Sequence, residues 1–265
     1  MGIESIIGSK DKDAFIEYAH HNAERYELNE KPFDYTEGMI DKCWELMSDK
    51  EDYRSLYNAS NATIWIHDNV RMYGDVTTMK YRSASETFND KIGECVDRTF
   101  LLITMNNLMG IDSGFVSVIK NCDGNNKPHV CAYVLDPEEG VVLVDAALHG
   151  YDAPHKKYAL YDRETTKRFY ETYCDALNRR DTEDFQRYIA EFENLDRRLA
   201  GMPEINTQIY GGNYVQQNFN QVGTPFFTPS NAILSIGAAI GIRVFLPEVY
   251  FGLIETVEHL FNVNF

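Results

Sequence analysis

Gly93-Glu94-Cys95-Val96-Asp97-Arg98-Thr99 runs directly into the apolar stretch Phe100–Met109, which Gly110 stops. A small residue, a thiol and then a long apolar run read as a loop feeding a buried helix that starts at Cys95. A free thiol with a pKa near ~8.5 is a poor nucleophile at neutral pH until its anion is stabilised. At a helix start, unpaired backbone N–H groups and the positive end of the macrodipole supply that stabilisation. Gly93 is expected to let the backbone turn tightly there, so that a carbonyl can approach the sulfur.

Downstream, Phe115–Ile119, His129–Leu135 and Val141–Asp145 read as strands of an antiparallel meander, joined through Asp123-Gly124-Asn125-Asn126 and Asp136-Pro137-Glu138-Glu139-Gly140. Alternation puts His129, Cys131, Tyr133 and Leu135 on one face, and Val141, Leu143 and Asp145 on one face of the next strand. Two registers are open. His129 opposite Asp145 leaves a three-residue loop, whereas Cys131 opposite Asp145 keeps His129 diagonal to the carboxylate. Either one lets Asp145 orient the imidazole, here expected through Nδ1. A helix-start thiol with imidazole and carboxylate on a nearby sheet is the arrangement needed to make and break acyl bonds. Two other readings compete with it. Cys95 can be a buried small hydrophobe and His129 a merely hydrogen-bonded residue. Alternatively, His129, Cys131 and Cys122 offer zinc ligands on one hairpin, although their spacing fits no standard zinc pattern and lacks a fourth ligand. No metal or other cofactor is expected.

Upstream, Asp11–Arg25 has helical spacing, and Thr36 is placed to cap a helix through Met39, Ile40, Cys43, Trp44 and Leu46. A third helix is predicted from about Ala62 to Tyr73, ended by Gly74-Asp75, with an irregular link from there to Cys95. After Thr165 the chain reads as charged helix to Leu199. Gly211–Ser230, rich in Gly, Asn and Gln, reads as a long loop of the kind that forms lids. Ala232–Ile242 is apolar but interrupted by Arg243, Pro247 and Glu248, short of the ~20 residues a bilayer span requires. It reads as a buried helix. The organisation predicted is a helical N-terminal region over 1–60, a core over 61–160 and a helical extension over 161–265.

Apolar content of 44%, with 17 Tyr and 15 Phe, can fill a substantial core. A net charge of −16 argues against a nucleic-acid partner, whose phosphates would be repelled. The five cysteines are scattered and lack CxxC spacing, which suggests free thiols in a reducing compartment. With no basic or apolar start that would read as a signal peptide, a cytoplasmic location without membrane contact is expected.

Ala62-Thr63-Ile64-Trp65-Ile66-His67-Asp68-Asn69-Val70-Arg71-Met72-Tyr73, then Ser83-Ala84-Ser85-Glu86-Thr87-Phe88 before Gly93-Glu94-Cys95-Val96-Asp97, then Gly110-Ile111, His129 and Asp145, resemble the transglutaminase-like superfamily over about Ala62 to Ala147. The resemblance implies an α+β, papain-like fold with the Cys-bearing helix packed on an antiparallel sheet. It implies Cys95 as nucleophile, His129 as general base and acid, and Asp145 as orienter. The activity implied is that of a cysteine hydrolase acting on an amide or isopeptide bond of a peptide or protein, through a thioester. The family also holds glutamine-directed acyl transferases and members without activity, and both stand as alternatives. Where the family often has His-Ala-Trp, this chain has His129-Val130-Cys131, which leaves a second thiol as a redox partner of Cys95 or as packing. No Gln precedes Gln186 to serve as oxyanion donor, so the Cys95 backbone N–H and either Trp65 or Tyr81 are the candidates.

Overall fold

The computed structural model describes residues 3–47, 55–72, 80–125, 129–148, 150–151 and 153–175, together with 178, 194–195 and 197–198. The predicted Gly/Asn-rich loop, the apolar 232–242 stretch and most of the charged helix after Thr165 lie outside those residues.

The architecture is α+β. Helices α1 (Ile3–Ser9), α2 (Lys12–Arg25), α3 (Glu37–Met47), α4 (Ser55–Asn69), α5 (Ala84–Asp90) and α6 (Cys95–Leu108) precede the sheet. Strands β1 (Ser113–Lys120), β2 (His129–Asp136), β3 (Gly140–Asp145), β4 (Gly150–Tyr151) and β5 (Lys157–Tyr161) follow, and then α7 (Arg163–Phe169) and a π-helical turn over Tyr170–Cys174. The sheet is antiparallel throughout, in the order β4-β3-β2-β1-β5.

Every residue of α6 after Cys95 is buried, including the polar Asp97, Arg98, Thr99, Thr104, Asn106 and Asn107. Phe100 forms its central contact, edge-on to Phe33 and Tyr170 and stacked on Phe115 with centroids 5.6 Å apart. Phe115, Val130, Ala132, Val134, Val144, Ala159 and Tyr161 turn one sheet face into the same core. The N-terminal helices contribute Ile6, Phe15, Ala19, Met39 and Ile40 to it, so residues 1–60 share the core of the predicted catalytic region. On the other sheet face a smaller cluster holds Val116, Val118, Cys131, Leu143 and Ala153.

Three local predictions change. The link before Cys95 contains α5, because Ser83 and Glu86 form a capping box: Ser83 N–H donates to Glu86 Oε2 at 3.0 Å, and Glu86 N–H to Ser83 Oγ at 3.5 Å. The third helix lies earlier than predicted, ending at Asn69. Strands β4 and β5 extend the meander at both edges. Of the two registers, Val142 opposite Val134 and Gly140 opposite Asp136 realise the second, with His129 diagonal to Asp145. Asp136 Oδ1 accepts from the Glu138 and Glu139 N–H groups, and Gly140 takes φ +77°, so the side chain preceding the turn selects its length.

Candidate active site

The loop that presents the thiol is held on both sides. Arg71 N–H donates to Lys91 O at 2.8 Å and Gly93 N–H to Arg71 O at 2.9 Å. Asp97 folds back over the helix start, its Oδ2 accepting from Glu94 N–H at 2.9 Å and its Oδ1 from Arg82 N–H at 2.8 Å. A Cβ on Gly93 would lie 2.7 Å from Asp97 Cβ. Gly93 therefore answers to the close approach of Asp97, not to a special turn conformation as its sequence context suggested. Burial raises the Asp97 carboxyl to about 7, against the pull of its two backbone donors.

Arg98 is 4% exposed and ties three elements together. Its guanidinium donates from Nε to Gly93 O at 3.2 Å, from Nη1 to Ala146 O at 3.3 Å and from Nη2 to Val70 O at 2.5 Å. It thereby clamps the loop residue two before Cys95, the residue after Asp145 and the exit of α4. The sequence held a signal for it: a cation at the start of a helix whose following stretch, Phe100–Met109, is largely apolar.

His129 opens β2 and Asp145 closes β3, so the diagonal register brings them together. His129 Nε2 and Asp145 Oδ2 are 2.5 Å apart. The carboxylate thus meets Nε2 and not Nδ1 as predicted, and the Cys95 thiol lies close enough to the same ring to interact with it. Burial disfavours the imidazolium, but the bonds to Asp145 and Cys95 outweigh it and raise the pKa to about 10. Burial likewise opposes ionisation of Asp145, yet hydrogen bonds from His129 and a second imidazole, His155, hold its carboxyl far below the usual range. Asp145 Oδ1 also accepts from Ala147 N–H at 2.9 Å and Leu148 N–H at 3.1 Å, which fixes the carboxylate's orientation.

His155 was not foreseen. Its Nε2 lies 3.2 Å from Asp145 Oδ2 and its Nδ1 3.5 Å from Cys122 Sγ. It sits in the loop between β4 and β5, where no periodicity marks it. Among the described residues, His129, Asp145 and His155 place ligand-type atoms within 4.8 Å of one another. Both Nε2 atoms already face the carboxylate oxygen, so a metal there would have to displace their protons. The residues of the competing zinc reading are placed differently: Cys122 faces His155, while Cys131 is 1% exposed in the outer-face cluster, where burial pushes its thiol pKa well up. That environment favours packing over redox exchange for Cys131.

Of the two oxyanion candidates, Tyr81 is close enough to Cys95 to interact with it electrostatically. Its backbone is fixed by Asn178, which accepts from Tyr81 N–H at 2.7 Å and donates to Tyr81 O at 3.0 Å. Burial keeps the phenol protonated, hence a donor, at all physiological pH values. Trp65 instead packs on Phe88, with centroids 5.7 Å apart, beneath Lys91 Nζ at 4.4 Å from its ring centre.

Residues 45–146 match the family model of the transglutaminase-like superfamily, a span that covers less than half of the chain but includes Cys95, His129 and Asp145. The match speaks for the class of cysteine-dependent hydrolases and acyl transferases and names no reaction. A solved structure of a candidate cysteine protease from Cytophaga hutchinsonii aligns at 18% identity and a TM-score of 0.33. The alignment covers 51% of this chain and 55% of that one, about half its length, and at that similarity it bears on neither activity nor substrate. No curated protein matches the chain. Among the described residues, no helix is long and apolar enough to cross a membrane.

Proposed function

We propose that this chain is a cysteine hydrolase that cleaves an amide or isopeptide bond of a peptide or protein through a thioester on Cys95. The observation that carries this reading is the His129 ring, held through Nε2 by Asp145 at 2.5 Å and close enough to Cys95 to interact with its thiol. With a pKa of about 10, His129 is an imidazolium at neutral pH, ready to protonate a leaving amine. The Cys95 sulfur attacks the carbonyl carbon, the C–N bond breaks as His129 gives its proton to nitrogen, and a thioester remains. The now neutral ring takes a proton from water, whose oxygen attacks the thioester and returns Cys95 as the leaving group. Negative charge that develops on the carbonyl oxygen is met by the Cys95 N–H at the helix start and by the Tyr81 hydroxyl.

Iodoacetamide labelling at mildly acid pH, read by peptide mapping, tests the nucleophile. Cys95 should react at least about tenfold faster in the wild type than in His129→Ala, since the imidazolium is what favours its anion. Equal rates in the two proteins would reject the assignment. A labelled amine supplied with a glutamine peptide separates hydrolysis from transfer, because stable incorporation of the amine would reassign the chain to acyl transfer.

The oxyanion role has its own test. Tyr81→Phe should lower kcat by about 10²-fold with KM little changed, in line with loss of one donor to the transition state. An unchanged kcat would remove Tyr81 from the site and leave it as core.

A further inference from the structure

We propose that Cys122 is a second reactive thiol, a site of oxidation to the sulfenic acid by small uncharged hydroperoxides, with His155 as its proton acceptor. The argument starts at Asp145. Its Oδ2 lies 2.5 Å from His129 Nε2 and 3.2 Å from His155 Nε2, so an ionised carboxylate requires a proton on each of those nitrogens. In the neutral His155 ring that proton leaves Nδ1 as the bare nitrogen, and Nδ1 is the atom 3.5 Å from Cys122 Sγ. The result is a thiol–imidazole–carboxylate arrangement that mirrors Cys95–His129–Asp145 and shares its carboxylate. The His155 side chain is 0% exposed, so its tautomer is set by these two neighbours alone.

Reagent access distinguishes Cys122 from the remaining thiols. Cys43, Cys131 and Cys174 are buried, whereas Cys122 is half-exposed on the turn that follows β1. The groups facing the pair are Asp145 through His155, and Cys131, which is close enough to Cys122 to interact electrostatically. With a net charge of −16, the chain repels anionic oxidants, and a neutral hydroperoxide meets no such barrier. In the step, His155 Nδ1 takes the thiol proton and the sulfur attacks the terminal peroxide oxygen. The S–O bond forms as the O–O bond breaks, and the departing hydroxide or alkoxide receives the proton from His155. Cys122 is oxidised to a sulfenic acid and the peroxide is reduced to water, or to water's alcohol analogue.

The test treats the full chain with hydrogen peroxide, traps sulfenic acid with dimedone and maps the labelled peptides. Cys122 should be trapped at least about fivefold faster in the folded chain than in the same chain unfolded in guanidinium, despite its partial cover. His155→Gln keeps a donor toward Asp145 and removes the nitrogen facing the sulfur. It should slow trapping at Cys122 by about tenfold. Cys122→Ser should leave Cys95 alkylation unchanged, which separates this site from the proposed hydrolase chemistry. Trapping at Cys122 that is slower in the folded chain, or that is indifferent to His155→Gln in a variant of unchanged thermal stability, would overturn the proposal. The folded-versus-unfolded comparison needs no variant and decides the matter alone if His155→Gln does not fold.

Discussion

Asp145→Asn is expected to lower kcat on an amide substrate by about 10⁴-fold, the scale on which a triad loses its correct tautomer and its imidazolium partner. The amide offers one oxygen where the carboxylate serves four donors: His129, His155 and the Ala147 and Leu148 N–H groups. The His129 pKa, held at about 10 partly by Asp145, should fall, so the alkaline limb of the pH–rate profile moves toward neutrality. The stability effect has a definite direction. The folded pKa of Asp145 is depressed below its ordinary 3.8, so its contribution is present above about pH 4 and drains away as pH falls through the folded value. The difference in Tm between wild type and variant should therefore be full at neutral pH and narrow on strong acidification. A kcat within tenfold of wild type would show that Asp145 does not orient the catalytic imidazole.

Arg98→Ala should be the most destabilising single change near the site, costing about 3 kcal/mol or more. The guanidinium is nearly sealed from solvent, and the carbonyls of Gly93, Ala146 and Val70 each accept from it. Truncation leaves those acceptors without their donor. For a chain of this size that cost corresponds to a Tm lowered by roughly 6–12 °C in differential scanning calorimetry. Arg98→Lys should recover little, because a single ammonium cannot reproduce a planar fork aimed at three separate carbonyls. A Tm shift under about 2 °C for Arg98→Ala would mean that the loop and strand ends are held by other contacts.

Much of this site is legible in the amino-acid sequence. The helix that carries Cys95 announces itself, since Cys95 stands between Gly93 and an apolar run that ends at Gly110, whose φ of +78° fits a helix stop. The strand parity of His129 and Asp145 is equally plain. Which register pairs them is less so, because Asp136 decides it by accepting from the turn's N–H groups, and both loop lengths are ordinary. Ring orientation is not legible at all: parity places an imidazole on a face without saying which nitrogen meets the carboxylate. His155 escapes because it lies in a loop, and β5 escapes because Tyr158 and Leu160 are apolar yet exposed, which erases the polar–apolar alternation. Helix α5 carried a readable Ser-x-x-Glu start at Ser83 and Glu86, masked by its brevity.

One carboxylate governing two rings carries an evolutionary consequence. Asp145 cannot drift to suit one imidazole without disturbing the other, so any substitution there is felt at both rings. On the chemistry proposed above, a descendant that lost Cys95 would still be constrained at Asp145 by the Cys122–His155 pair.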